Sequence, residues 1–174
     1  EINHAGDGGL YAELVKNRSF EELEMPEGYY AEGDVLHPKK VCNHMSGEVR
    51  EGSFRWTTEP VPGWNLNTQE TAHAEMKLTK ENPKYPTAPN NLKVTIKDAS
   101  TPVRLINGGY WGMNLVKEDS YLLRTILRTS ADYKGKITAL LLSEKDEVLA
   151  SAPIEISGSG TWNDVHQMMR PAAT

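Results

Sequence analysis

The stretch AHAEMKLT, residues 72–79, alternates apolar and polar side chains along its whole length. Ala, Met and Leu occupy one set of positions, while His, Glu, Lys and Thr occupy the other. Because successive side chains of a strand point to opposite faces, this alternation predicts a half-buried antiparallel strand. Residues 92–97, LKVTIK, repeat the pattern. The two stretches therefore predict a sheet with one face on a core and the other in water.

Further strands are predicted on both sides of this pair. They cover residues 48–58, 121–129, 137–143 and 148–156, and Trp162 opens another. The charged break at 144–147, EKDE, makes the strands around it a hairpin. Residues 26–47 are predicted to form a long irregular loop, and three prolines mark 81–91 as a second loop. About seven short strands separated by turn residues predict a mainly β chain, folded as a β-sandwich.

The N-terminal residues are expected to differ from this pattern. Residues 3–9, NHAGDGG, predict a loop, and residues 10–17, LYAELVKN, follow. Leu10 and Leu14, like Tyr11 and Val15, are four positions apart, which predicts one or two turns of helix. Asn17 is expected to end this helix.

Composition excludes several classes of protein. The chain has 174 residues and a net charge of −5, and its basic residues form no cluster, so a nucleic-acid partner is not expected. Its apolar runs are all shorter than the roughly 18 residues of a membrane span, so no membrane partner is expected. The single cysteine, Cys42, excludes an internal disulfide framework. The length suits one domain, or one domain with a fragment of another.

Motifs for metal binding or catalysis are weak. His37, Cys42 and His44 lie within eight residues, but zinc sites usually need four ligands and no second pair follows. The sequence has neither a nucleophile elbow nor a phosphate loop. The 24 acidic residues offer many carboxylate pairs, and their spacing singles out none for glycoside hydrolysis. The residues alone predict no catalytic group and no metal.

Aromatic residues give the stronger indication. The chain has seven Tyr and four Trp but only two Phe, and rings with a polar handle suit sugars as well as half-wet core edges. Tyr110 and Trp111 stand among glycines in NGGYWGM, residues 107–113, and Trp64 stands in PGWN, residues 62–65. With Asn114 as a hydrogen-bonding neighbour, these rings are the candidate carbohydrate-binding residues. The alternative, that the rings belong to the core, stays open for Tyr110 and Trp111 and is favoured for Trp162.

Residues 1–21, EINHAGDGGLYAELVKNRSFE, resemble the opening of the α-L-arabinofuranosidases of glycoside hydrolase family 51. Residues 108–162 resemble, more loosely, the carbohydrate-binding-like jelly-roll module that these enzymes carry in their N-terminal part. The resemblance implies two parts. Residues 1–17 would be the first βα loop and helix of a catalytic (β/α)₈ barrel, and residues 18–174 a jelly-roll or galactose-binding-like β-sandwich.

The resemblance also implies a function for the parent enzyme. That enzyme would be a retaining glycosidase that removes terminal α-L-arabinofuranosyl residues from arabinan or arabinoxylan, polymers that suggest secretion or a periplasm. Its two catalytic glutamates would follow Thr174, so this chain alone is expected to be inactive. Glu1 and Asn3 would lie near the substrate in the parent. No cofactor is implied, although a structural calcium ion is common in such sandwiches. Whether the module binds sugar or only braces the barrel stays open.

Overall fold

The computed structural model describes residues 14–22, 28–39, 43–44, 48–49, 54–55, 61–68, 73–98, 100–110, 112–157 and 160–173. All the regular elements in these residues are β-strands, so the predicted mainly β fold class is confirmed. Each pairing of two strands that the structure describes is antiparallel, as expected for a sandwich. The described residues contain no helical segment with the length and hydrophobicity to span a bilayer.

Backbone contacts divide the chain into two compact units, Glu1–Met113 and Asn114–Thr174. The predicted boundary between residues 17 and 18 stays a prediction. Among its described residues, the first unit contains nine strands: β1 Tyr29–Glu32, β2 Val35–Pro38, β3 Asn43–His44, β4 Glu48–Val49, β5 Phe54–Arg55, β6 Trp64–Thr68, β7 His73–Thr79, β8 Asn91–Asp98 and β9 Val103–Asn107.

The two strands of the first unit with the longest predicted alternation of apolar and polar residues pair with each other. The strands β7 and β8 pair from Thr79 with Asn91 to His73 with Asp98, and Ala74, Met76 and Leu78 lie on the less exposed face. The strand β6 pairs with β9, β3 with β4, and β2 lies between β1 and β5. Leu36 and Val61 are fully buried.

The described part of the second unit contains four strands: β10 Tyr121–Leu127, β11 Ile137–Leu142, β12 Val148–Ile154 and β13 Asn163–Met169. The strand β10 pairs with β13, and β11 with β12. The turn between β11 and β12 confirms the hairpin predicted at 144–147. Buried side chains from β12 and β13 form the core, namely Leu149, Ala152, Val165 and Met169.

Two sequence predictions were wrong in detail. Residues 26–47, expected to be irregular, contain the β1–β2 hairpin, in which Glu32 pairs with Val35 across a two-residue turn. Gly33 has a φ of 63° at the first turn position, which glycine adopts without steric cost. Trp64, expected on a loop, is the first residue of β6. The strands β1, β2 and β6 are short and carry few apolar residues, so the alternation of apolar and polar residues does not predict them.

The predicted N-terminal helix is only partly within the described residues. Residues 10–13 lie outside them, and residues 14–17 form a bend and turns in place of a helix. Asn17 has a φ of 49°, which is left-handed and ends any helical path there. The predicted strand at 48–58 is seen as β4 and β5, and the residues between and after them lie outside the described part.

Candidate functional site

A short N-terminal stretch of the first unit, residues 14–22, is held by several long-range hydrogen bonds, and we call it the docking segment. Its backbone is held by the side chain of Asn107, at the end of β9. The amide Oδ1 accepts a hydrogen bond from the Lys16 N–H at 3.1 Å, and the amide Nδ2 donates to the Lys16 carbonyl at 2.9 Å. One asparagine side chain thus satisfies both backbone groups of Lys16, as a neighbouring strand would.

Asn17 fixes the next residue of the docking segment. It is only 4% exposed, and its Nδ2 donates to the Pro62 carbonyl at 3.0 Å. Its Oδ1 accepts from the Glu22 N–H at 3.2 Å. Because a buried amide without partners would cost stability, these bonds hold Asn17 in one orientation. Asparagine also tolerates the left-handed backbone better than most residues.

Trp64 belongs to the same assembly. Its indole N–H donates to the Asn17 carbonyl at 3.1 Å, and its ring lies 5.7 Å from that of Phe20 in a tilted arrangement. The side chain of Asn90 donates to the Phe20 carbonyl at 3.2 Å. Trp64 was a candidate for sugar stacking, and the structure shows it half-buried with these internal partners.

Two glycines let the docking segment approach the strands closely. A Cβ on Gly109 would lie 2.9 Å from the Leu14 carbonyl oxygen and 2.9 Å from that of Gly112, and the φ of Gly109 is 69°. A Cβ on Gly63, whose φ is 79°, would lie 3.1 Å from side-chain carbons of Lys16. Only glycine suits both requirements at Gly109, because its backbone is left-handed and its neighbours are fixed backbone atoms.

The predicted aromatic turn begins at the same asparagine. Asn107 Oδ1 also accepts from the Gly109 N–H at 3.0 Å, and the Gly112 N–H donates to the Gly108 carbonyl at 3.1 Å. Tyr110 stands on this turn with half of its surface exposed. Its neighbour Trp111 lies outside the described residues, so the proposed pair of rings is described only at Tyr110.

The other predicted site residues do not form one described cluster. Asn114 is exposed in the second unit, where its carbonyl accepts from the Tyr121 hydroxyl at 3.3 Å. Glu1 and Asn3 lie outside the described residues. Trp162 is half-buried, and the Arg128 guanidinium lies 5.0 Å from the centre of its ring, within the range of a cation–π interaction.

Titratable groups in the described residues are mostly solvated. His37, from the weak metal motif, stacks on Tyr30 at 5.3 Å, and its Nε2 lies 3.8 Å from a Glu32 carboxylate oxygen. Within the described part of the chain, no three His, Cys, Asp or Glu side chains lie close enough together to hold a metal ion. Cys42 lies outside that part. A hydrogen bond from the Ser130 side chain, together with the backbone N–H of Asp132, lowers the pKa of the exposed Asp132 carboxyl.

Sequence reasoning did not identify Asn107 or Asn17 as important. The sequence shows Asn107 only as the start of a glycine-rich turn and Asn17 only as the end of a predicted helix. The available signal was local, because both asparagines adjoin positions where the chain turns sharply. Their partners are 91 and 45 residues away in sequence, and no local pattern encodes such a distance.

Comparison with known proteins gives two similar sequences. The chain is 28% identical over 176 aligned positions to α-L-arabinofuranosidase 1 of Arabidopsis thaliana, covering the whole chain and 22% of that protein. It is 29% identical over 135 positions to α-L-arabinofuranosidase 2 of the same plant, covering 76% of the chain and 16% of that protein. The chain thus spans about a fifth of these relatives. No family model and no solved structure matches it. The similarity supports a relationship to glycoside hydrolases.

Proposed function

We propose that the chain is a non-catalytic β-sandwich module of an α-L-arabinofuranosidase, and that it supports the catalytic barrel of the same polypeptide. The parent enzyme would hydrolyse terminal α-L-arabinofuranosyl residues of arabinan or arabinoxylan and would be secreted or periplasmic. The names of the two relatives support the substrate class. The resemblance of residues 1–17 to the start of a barrel supports the arrangement.

The docking segment is the observation that carries the supporting role. Its residues 14–17 belong, in this proposal, to the first βα segment of the barrel, where the structure has a bend and turns. Hydrogen bonds of Lys16 and Asn17 go from there to Asn107, Pro62 and Trp64 of the sandwich. Several hydrogen bonds fix the docking segment against the sandwich, whereas a flexible linker would leave the barrel and the sandwich free to move relative to each other. The module would thereby hold the start of the barrel in place.

The test is heat inactivation of arabinofuranosidase activity in the polypeptide that carries both parts. If the module supports the barrel, Asn107→Ala should lower the temperature of half-inactivation by several degrees. Asn67→Ala, at an exposed position of β6, is the matched control and should have no effect. Equal inactivation curves for Asn107→Ala and the unchanged protein would contradict the supporting role.

Sugar binding is the second candidate, and Tyr110 favours it. Its ring is half exposed on a turn whose backbone is held by the Asn107 side chain and by the Gly112 N–H, and an exposed ring of this kind can stack on a sugar. Titration of the chain with arabinan or arabinoxylan oligosaccharides, followed by NMR, tests it. Saturable binding that Tyr110→Ala abolishes with the fold intact would establish the ring as the platform. Binding that Tyr110→Ala leaves unchanged would exclude it.

A further inference from the structure

A polar cleft of about 300 Å³ lies in the first unit, where β6 ends and β7 begins. Thr68, His73, Ala74, Glu75 and Lys97 line it. The cleft is open to solvent rather than enclosed. Its lining differs from an ordinary apolar pocket, because four of the five side chains carry hydrogen-bonding groups.

A β-bulge shapes this cleft. His73 pairs with Asp98 and Ala74 pairs with Ile96, so Lys97 has no residue opposite it. Such an extra residue increases the local twist and redirects a side chain, and bulges are over-represented beside functional sites. The Lys97 ammonium nitrogen lies 3.4 Å from a Glu75 carboxylate oxygen, which brings a strong donor and a strong acceptor together at the cleft.

The lining indicates the chemistry of a ligand. Glu75 can accept hydrogen bonds from hydroxyl groups, Lys97 can donate to them, and Thr68 can do either. The charges of Glu75 and Lys97 oppose each other, so the pair does not select strongly for an anion or a cation. A ligand with adjacent hydroxyls satisfies the donor and the acceptor together. We infer that this cleft binds one residue of a neutral, hydroxyl-rich sugar, separately from the Tyr110 turn.

The test uses the same 174-residue chain and arabinan oligosaccharides, a choice of sugar that rests on the proposed function. Binding is followed by NMR titration in the unchanged chain and in Glu75→Ala and Lys97→Ala. Since hydrogen bonds to charged groups are worth more than neutral ones, each variant should weaken binding about tenfold. Both side chains are more than half exposed, so the fold should tolerate the changes.

The same hairpin provides a matched control. Lys93 and Glu81 form a second surface ion pair, 4.0 Å apart and similarly exposed, but neither residue lines the cleft. Glu81→Ala and Lys93→Ala should therefore bind sugar as the unchanged chain does.

Each outcome decides the inference. Saturable binding that is weakened in the two cleft variants and kept in the two controls supports the cleft. Binding that survives in the cleft variants, or that Tyr110→Ala alone removes, overturns it. Absence of binding at millimolar sugar overturns it as well. None of these outcomes depends on the supporting role, which heat inactivation tests separately.

Discussion

Asn107 holds both backbone groups of Lys16 in the docking segment. Replacing it by alanine leaves the N–H and the carbonyl of Lys16 and the N–H of Gly109 without their present partner. Because these groups are partly buried, we expect Asn107→Ala to lower the free energy of unfolding by about 2 kcal/mol. Urea denaturation measures this value, and Asn67→Ala provides the baseline for an exposed asparagine. A loss no larger than that of the control would mean that water replaces the amide.

Gly109 and Gly108 are a matched pair for testing how closely the Leu14 carbonyl of the docking segment approaches the turn after β9. A methyl group at Gly109 would meet two backbone oxygens at 2.9 Å in a left-handed conformation, whereas one at Gly108 would meet nothing within 4 Å. Gly109→Ala should therefore cost more than about 2 kcal/mol. Gly108→Ala should be neutral or slightly stabilising, because it restricts the unfolded chain. Thermal unfolding of the two variants compares them directly, and similar melting temperatures would contradict the close approach of the Leu14 carbonyl to Gly109.

Asp132 gives a prediction about pH. Its folded pKa lies below the unfolded value, chiefly because the Ser130 side chain donates a hydrogen bond to the carboxylate. A depressed pKa stabilises the fold at pH values above the unfolded pKa, and this contribution is lost as the pH falls through the folded pKa. We expect Ser130→Ala to raise the pKa of Asp132 in an NMR titration of its carboxyl carbon. A pKa that does not move would assign the shift to the backbone N–H alone.

At the level of elements, the docking segment should behave as part of the β6–β9 sheet. The indole N–H of Trp64 holds the Asn17 carbonyl, and Asn107 holds the adjoining Lys16. Trp64→Phe keeps an aromatic ring near Phe20 but removes this hydrogen bond, which is worth about 1 kcal/mol. We expect faster hydrogen exchange at the Lys16 amide, by about fivefold. Trp162→Phe is the matched control, and equal acceleration in both variants would show that the bond does not hold the segment.

Some of the strands can be predicted from the sequence and others cannot. The strands β7, β8, β10, β11 and β12 were predicted because each has several apolar residues on one face. The strands β6 and β9 were not, since β6 offers only Trp64 and Leu66 on its inner face. Their place in the sheet depends on partners about forty residues away, and local periodicity does not contain such pairings.

The candidate site was less predictable than the strands for the same reason. The glycines around Tyr110 lie at a turn on which its side chain is half exposed, and its role in sugar binding stays a prediction. Gly63 instead precedes a strand, and the Trp64 indole donates a hydrogen bond to the docking segment. A ring beside glycine can be exposed or internal, and only its tertiary neighbours decide which. The Lys97 bulge likewise arises from strand register, which sequence alone does not fix.

At the scale of the whole molecule, the chain alone should have no arabinofuranosidase activity. A retaining glycosidase needs two carboxyl groups about 5 Å apart around the sugar, one of them with a raised pKa. In the described residues, Glu32, Glu75 and Glu81 are largely exposed beside a histidine or a lysine. The pKa of Asp132 is displaced downward, the wrong direction for a general acid.

The measurement is release of the aryl alcohol from an aryl α-L-arabinofuranoside, with buffer alone and heat-denatured chain as controls. We expect no turnover above buffer at any pH between about 4 and 8, the range in which carboxyl catalysts act. Turnover that copurifies with the chain would place the catalytic groups within these 174 residues. Glu75→Ala would then be the first variant to assay, because its carboxylate lies in the polar cleft. Loss of that turnover would make the cleft an active site, and its retention would direct the search to the acidic residues outside the described part.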